Sequence, residues 1–337
     1  MTKTYQSVSE IRADLTNLPQ ADVVAEAAAR ARDAVLTKPL GALGRLEAIS
    51  SWYASWRQDA SPVISHPQVV VFAGNHGVTA KGVSAFPTEV TVQMVENFKA
   101  GGAAINQLAQ LSGAAFGVVP IRLDTPTGDF TQTVAMNDAA FLEAFNIGAQ
   151  SVAQHTDILV LGEMGIGNTT SAAALLARVF EGHPADWAGA GTGLSDDGIA
   201  TKAAVIAQGL ALHTDAQGLD ALAALGGREI VAMAGAMLSA RMHRIPVVLD
   251  GFIATSAAAS LWSEEPRILD HMLAGHLSDE QAHGRALEAL GLQPVLDLGL
   301  RLGEGSGAAV ALLVVKAALA CHSGMATFAE AGVSDSG

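Results

Sequence analysis

Cysteine is almost absent from this chain: Cys321 stands alone among 337 residues. A single thiol cannot close an internal disulfide or complete a zinc-finger or iron–sulfur ligand set, so the composition suits a reducing compartment and excludes those metal folds. Positive charge is scarce as well. There are 19 Lys and Arg against 33 Asp and Glu, a formal charge of −14. Such a surface repels phosphate backbones and anionic lipids, which speaks against nucleic acid and membranes as partners. The first twenty residues lack an apolar signal core, and no uncharged apolar run reaches the roughly 18 residues a membrane span needs. Aromatic residues make up only 5% although half of the chain is hydrophobic. Small apolar residues fill the difference, with 35 Gly, and imply closely packed helices and sheets with many turns, a habit of α/β enzymes. An acidic, soluble, cytoplasmic protein is expected.

From Val8 to about Trp56 the apolar period is helical: Val8, Ile11, Leu15 and Leu18 recur at helical steps, as do Leu43, Leu46, Ile49, Tyr53 and Trp56. Residues 21–36 form a further helix, ended by Lys38-Pro39. Near residue 60 the pattern changes. Short apolar runs at 69–73, 116–121, 158–162, 245–249 and 271–274, with 186–190 as a further candidate, alternate with helical stretches at 89–111, 138–153, 170–180, 197–212 and 229–241. That alternation predicts a mostly parallel, Rossmann-like sheet flanked by helices over residues 61–305. Residues 1–60 and part of 306–337, again helical and apolar, are expected to form a small domain from both chain ends. Glycines and polar groups gather where each strand ends, and open parallel sheets bind ligands beyond those ends.

Four of these turns could carry chemistry. Gly162-Glu163-Met164-Gly165-Ile166-Gly167-Asn168-Thr169-Thr170 leaves a strand and opens an Ala-rich helix. Its glycines can turn N–H groups toward an anion at a helix N-terminus, which suggests phosphate. It lacks the P-loop lysine and the dinucleotide register, so a mononucleotide is the better ligand; a capped βα turn would explain the same residues without any ligand. A second loop, Gly191-Thr192-Gly193, precedes a helix carrying Lys202, either a phosphate counter-charge or a solvated surface lysine. In the third, Gly303-Glu304-Gly305, a carboxylate sits between glycines with little cover of its own. Burial in a cleft would raise its pKa toward that of a working base; the alternative is a helix N-terminal Glu. The fourth, from Ser84 through Phe86 and Pro87 to Gln93 and Met94, combines an apolar wall with hydrogen-bonding groups and suits a flat heteroaromatic ring, or else a plain loop and helix cap. His271, His276 and His283 match no usual zinc spacing, so no metal site is expected. Ser306 misses the nucleophile-elbow pattern by one residue, which argues against acyl-enzyme chemistry.

Taken with Lys38-Pro39-Leu40-Gly41, Asn75-His76-Gly77, Asp250-Gly251-Phe252 and Met325-Ala326-Thr327-Phe328, these motifs resemble the nicotinate-nucleotide–dimethylbenzimidazole phosphoribosyltransferases from about residue 37 to 333. The resemblance implies transfer of phosphoribose from nicotinate mononucleotide to a benzimidazole in cobalamin assembly. It also implies a homodimer and no metal or redox cofactor. Glu304 would be the base, and Glu163 would hold the ribose or steady positive charge. Gly165, Ile166, Gly167, Asn168, Thr169, Gly191, Thr192, Gly193, Lys202, Gly303 and Gly305 would surround the nucleotide, and Ser84, Phe86, Pro87, Gln93, Met94 and Met164 the acceptor base. Asn75, where Asp is common, and Met164, where Leu also occurs, depart from the pattern and leave other benzimidazoles, adenine or phenols open as acceptors. A nucleoside-phosphate hydrolase and a non-catalytic nucleotide sensor are the rival readings.

Overall fold

The computed structural model describes residues 3–191 and 193–334. Three helices come first: α1 (Val8–Thr16), α2 (Val23–Asp33) and α3 (Arg45–Arg57). Ser7 and Asp22 start the first two by accepting backbone N–H bonds with their side chains. Strands then alternate with helices. β1 (Pro67–Ala73), α4 (Glu89–Lys99), α5 (Ala104–Ser112), β2 (Ala115–Pro120), α6 (Asp138–Gln150), β3 (Ile158–Met164) and α7 (Asn168–Phe180) make the first half. After α8 (Asp196–Leu212), α9 (Gly218–Leu225) and α10 (Arg228–Met242) come β4 (Val247–Leu249), α11 (Phe252–Trp262) and β5 (Met272–Ala274). β6 (His276–Ser278), α12 (His283–Ala289), β7 (Leu296–Leu300), α13 (Ser306–Gly324) and α14 (Phe328–Ala331) complete the chain.

β1 to β5 form one parallel sheet in the order β2-β1-β3-β4-β5. The strand runs are apolar throughout because both faces are covered. Val70, Phe72, Leu159, Leu161 and Leu249 point into one cluster with α6, α7, α10 and α11. The alternate residues Val69, Val71, Ile158, Val160 and Val248 point into a second cluster with α3, α5 and α13. Small residues let these layers approach. Gly148 on α6 lies against the Ala232 backbone of α10, and Gly235 of α10 against the Phe145 carbonyl, with no room for a methyl group at either.

α13 is long and apolar enough to cross a membrane by composition alone, with mean hydropathy 1.6. Here it buries Ala308, Leu312, Val315 and Leu319 against the sheet. The chain ends meet beside it: Leu36 bridges Thr327, and Arg32 donates to the His322 and Met325 carbonyls.

Several sequence expectations are corrected. The single helix expected over 89–111 is two, separated where Gly101 takes φ +79°. Residues 186–190 form no strand: a 3-10 turn at Pro184–Asp186 gives way to irregular chain, with Trp187 stacked on Phe180. The sequence reading also missed α9, α11 and the parallel pair β6–β7. β7 is largely exposed and carries Asp297 and Gly299 in place of a β-branched run.

Candidate active site

The strand order reverses direction between β1 and β3, the switch point at which such sheets open a crevice at their carboxyl edge. Three chain exits border it: Gly165-Ile166 after β3, Asp250-Gly251 after β4 and His276 after β5. A cleft at this edge is lined by Glu163, Met164, Asn168, Gly191, Asp250, His276, Glu280, Arg301 and Glu304, among others.

Two carboxyls dominate its chemistry. Gly303, Glu304 and Gly305 all adopt left-handed backbone, with φ of +79°, +64° and +86°. For Glu304 that conformation is strained, by about 1–3 kcal/mol, so the surroundings must fix it. Asp250 supplies the hold. Its Oδ2 accepts the Gly305 N–H at 3.1 Å and its Oδ1 the Ala308 N–H at 2.9 Å, which anchors the loop on the first turn of α13. Burial, then the Asp250 charge, pushes the Glu304 carboxyl up to about 7. Glu163, at the end of β3, accepts a hydrogen bond from the Asn168 side-chain amide. Burial pushes it up to about 8, with Asp250, Glu229 and Glu304 adding to the effect. Two acids with raised pKa values in one cleft can exchange protons near neutrality.

The turn that follows Glu163 suits an anion. Gly167 takes φ +92° and turns the chain into α7, whose first residues, Asn168 and Thr169, line both this cleft and an adjoining pocket. That pocket also contains Ser84, Gly167, Leu194 and Lys202. Lys202 is 1% exposed, not a surface lysine. Its ammonium donates to Thr169 Oγ1 at 3.1 Å and to the Gly189 carbonyl at 2.9 Å, and burial lowers its pKa.

Most of the residues anticipated from sequence meet here. Glu163, Met164, Gly165, Ile166, Asn168, Thr169, Gly191, Gly303 and Glu304 line the cleft, and Ser84, Gly167 and Lys202 line the adjoining pocket. Gly305 lies behind Glu304, packed on Gly162. Thr192 lies outside the described residues, and Gly193 is exposed at the rim. Phe86, Pro87 and Gln93 are exposed and do not line the cleft, while Met94 packs partly into the core below the sheet.

The sequence reading assigned no role to Asp250, His276, Glu280 or Arg301. Asp250 was findable, as the first polar residue after a buried strand. It also missed the support beneath the cleft, where His76 Nε2 donates to Glu229 Oε1 at 2.5 Å and His76 Nδ1 lies 3.0 Å from the Ser171 hydroxyl, all three residues fully buried. This trio resembles a hydrolase triad in composition, but the serine is sealed from the cleft. It ties the β1 exit to the first turns of α7 and α10.

Fold and cleft together define a doubly wound α/β protein, of the class that binds ligands at the carboxyl edge of the sheet. A phosphoribosyltransferase family model matches residues 18–333. A nicotinate-nucleotide–dimethylbenzimidazole phosphoribosyltransferase of Ruegeria sp. (strain TM1040) is 60% identical over 99% of this chain and 100% of its own. The enzyme of the same name from Roseobacter denitrificans is 57% identical over 99% of this chain and its full length. A crystal structure of the Thermus thermophilus enzyme superposes with a TM-score of 0.86 at 40% identity, covering 93% of this chain and 99% of that one. The chain belongs to the nicotinate-nucleotide–dimethylbenzimidazole phosphoribosyltransferase family.

Proposed function

We propose that the cleft transfers the 5-phosphoribosyl group of nicotinate mononucleotide to 5,6-dimethylbenzimidazole or a related base, releasing nicotinate and an α-ribazole 5′-phosphate for the nucleotide loop of cobalamin. One observation carries the mechanism: two carboxyls raised to about 7 and about 8 share a cleft with the backbone of Gly165, Thr169 and Gly191, and Lys202 lines the pocket that adjoins it at Asn168 and Thr169.

The phosphate rests against the N–H groups of the Gly165–Thr169 turn and Gly191, with Lys202 as counter-charge. The acceptor nitrogen attacks C1′ from the face opposite the departing nicotinate, which converts a β- into an α-linkage. As the C1′–nicotinate bond breaks, the ribosyl ring gains positive charge, and Glu163, in the molecules where it has lost its proton, steadies it. As the new C–N bond forms, the other benzimidazole N–H passes its proton to Glu304. No electrons change hands, so a redox carrier has no role. Ser84 and Met164 border the space left for the acceptor. Phe86 and Pro87 would join them only if the loop between Gly82 and Glu89 folds over the bound base, whereas Gln93 and Met94 lie on α4 beyond that loop. The family resemblance also supports a homodimer and a small lobe made from residues 1–60 with part of 306–337.

Nicotinate release measured with and without dimethylbenzimidazole tests the reaction; release independent of the acceptor would make the protein a hydrolase instead. Glu304→Gln should lower kcat at least a hundredfold with the fold retained. Because the base must be ionised, wild-type kcat should fall as pH drops below about 7. A variant rate within threefold of wild type would remove Glu304 as the base.

A further inference from the structure

Glu280 lies in the turn between β6 and α12, where its backbone N–H donates to Ser278 Oγ at 3.2 Å. Its carboxylate lines the cleft beside Gly191 and Arg301. It presses on Gly189 so closely that a methyl group there would collide with it. Its buried Oε1 finds no hydrogen-bond donor among the described residues. Burial raises the pKa of this carboxyl, opposed by the Lys202 ammonium, the Gly191 N–H and the Arg301 guanidinium and helped by Asp279, and the Lys202 ammonium stands against both Gly189 and Gly191. Lys202 makes its two hydrogen bonds to neutral oxygens, so its charge is available to an anion.

These are the groups that the proposed phosphate would need, and they converge on a side chain that is itself an anion. We propose that Glu280 is an internal competitor for the phosphate of the nucleotide, occupying the focus of Gly191, Lys202 and Arg301 until a phosphate displaces it. The inference rests on the phosphate reading of that wall given above. A phosphate can gain the Gly191 N–H and the lysine only in molecules whose Glu280 has turned away, so its apparent affinity falls by that fraction. The product carries its phosphate in the same place, and the returning carboxylate favours its release.

The test compares wild type with Glu280→Gln, which keeps the shape and removes the charge. Titration with inorganic phosphate should show binding at least threefold tighter in the variant, and the KM for nicotinate mononucleotide should fall at least threefold. Unchanged affinity would overturn the proposal. Weaker binding would overturn it too, because it would make Glu280 a contact of the ligand. If Glu280→Gln fails to fold, Glu280→Asp, which withdraws the charge by one methylene, should show a smaller change of the same sign. Lys202→Ala in the same titration separates the two readings. If it leaves phosphate affinity unchanged, the phosphate wall is misplaced and both readings fall. If it weakens binding while Glu280→Gln brings no tightening, the wall stands and only the competitor is refuted.

Discussion

Replacing Gly162 with alanine should disable the cleft without touching any group in it. Gly162 precedes Glu163 on β3, and the left-handed loop of Glu304 lies directly across its Cα. A methyl group there would sit 2.7 Å from the Gly305 nitrogen and closer still to the Glu304 carbonyl, where ordinary contact begins at 3.4 Å. All the obstructing atoms are backbone, so no side chain can rotate aside. The loop has little freedom to yield either, since Gly305 and Ala308 are tied to Asp250 and Glu304 is already at positive φ. Overpacking of this kind costs about 1–3 kcal/mol of stability. The larger effect is on the chemistry, because displacing a reacting group by roughly 1 Å can cost on the order of a hundredfold in turnover. The assay is kcat and KM for transfer, with a melting temperature alongside. Gly117→Ala is the matched control: Gly117 lies on the edge strand β2 of the same sheet, and a methyl group added there would meet nothing within 4 Å, so stability should change by less than about 0.5 kcal/mol and kcat should hold. If Gly162→Ala turns over within threefold of wild type, the contact with β3 does not set the position of Glu304.

Glu163, raised in the folded state to about 8 from an ordinary value of 4.5, holds its proton more tightly than in the unfolded chain. Its contribution to stability is therefore greatest at low pH and declines as pH rises through the window from about 4.5 to about 8. Glu163→Gln has no proton to lose, so its melting temperature should gain on wild type steadily across that window; parallel pH profiles would refute the burial account. Removing one partner of the buried His76–Glu229 pair should cost about 3–5 kcal/mol by leaving the other polar group unmatched. A double-mutant cycle with His76→Gln and Glu229→Gln, followed by chemical denaturation, should show a coupling above about 1 kcal/mol; additivity would mean that the 2.5 Å contact contributes nothing specific.

The parallel sheet was legible because its strands are buried on both faces and so read as unbroken apolar runs, as in Val69 to Ala73. β7 was not legible for the opposite reason: Leu298 is 60% exposed, Gly299 breaks the run, and no periodicity marks a strand with one neighbour. The glycine loops announced themselves by composition, and Glu163, Glu304 and Lys202 were found because they lie in those loops or in the first two turns of the helix that follows. Glu280 and the His76–Glu229 pair carry no such local mark. Their roles depend on residues brought together across 78 and 153 positions of sequence, a relation that only the topology of the sheet creates. The exposure of Phe86 and Gln93 has the same origin, since an amphipathic stretch states that it has two faces but not which one meets the cleft.

The scarcity of basic residues in the chain bears directly on how the proposed reaction could be run. A cleft rich in lysine would hold the nucleotide phosphate firmly, but its field would also oppose the positive charge that develops on the ribose as nicotinate leaves. Backbone N–H groups avoid that conflict, because their dipoles act over a few ångströms and leave the net charge of the cleft negative. One buried lysine beside Thr169 adds a single short-range cation on the phosphate side. Asp250, Glu163 and Glu304 line the cleft beside it, and burial, with the charge of Asp250, raises Glu163 to about 8 and Glu304 to about 7. A carboxyl so raised can accept the benzimidazole proton and return it to water without a large step in free energy in either direction. Backbone amides and carboxyls side by side in one small cleft would let it bind an anion and favour a cation at adjacent atoms, which a uniformly basic phosphate site could not do.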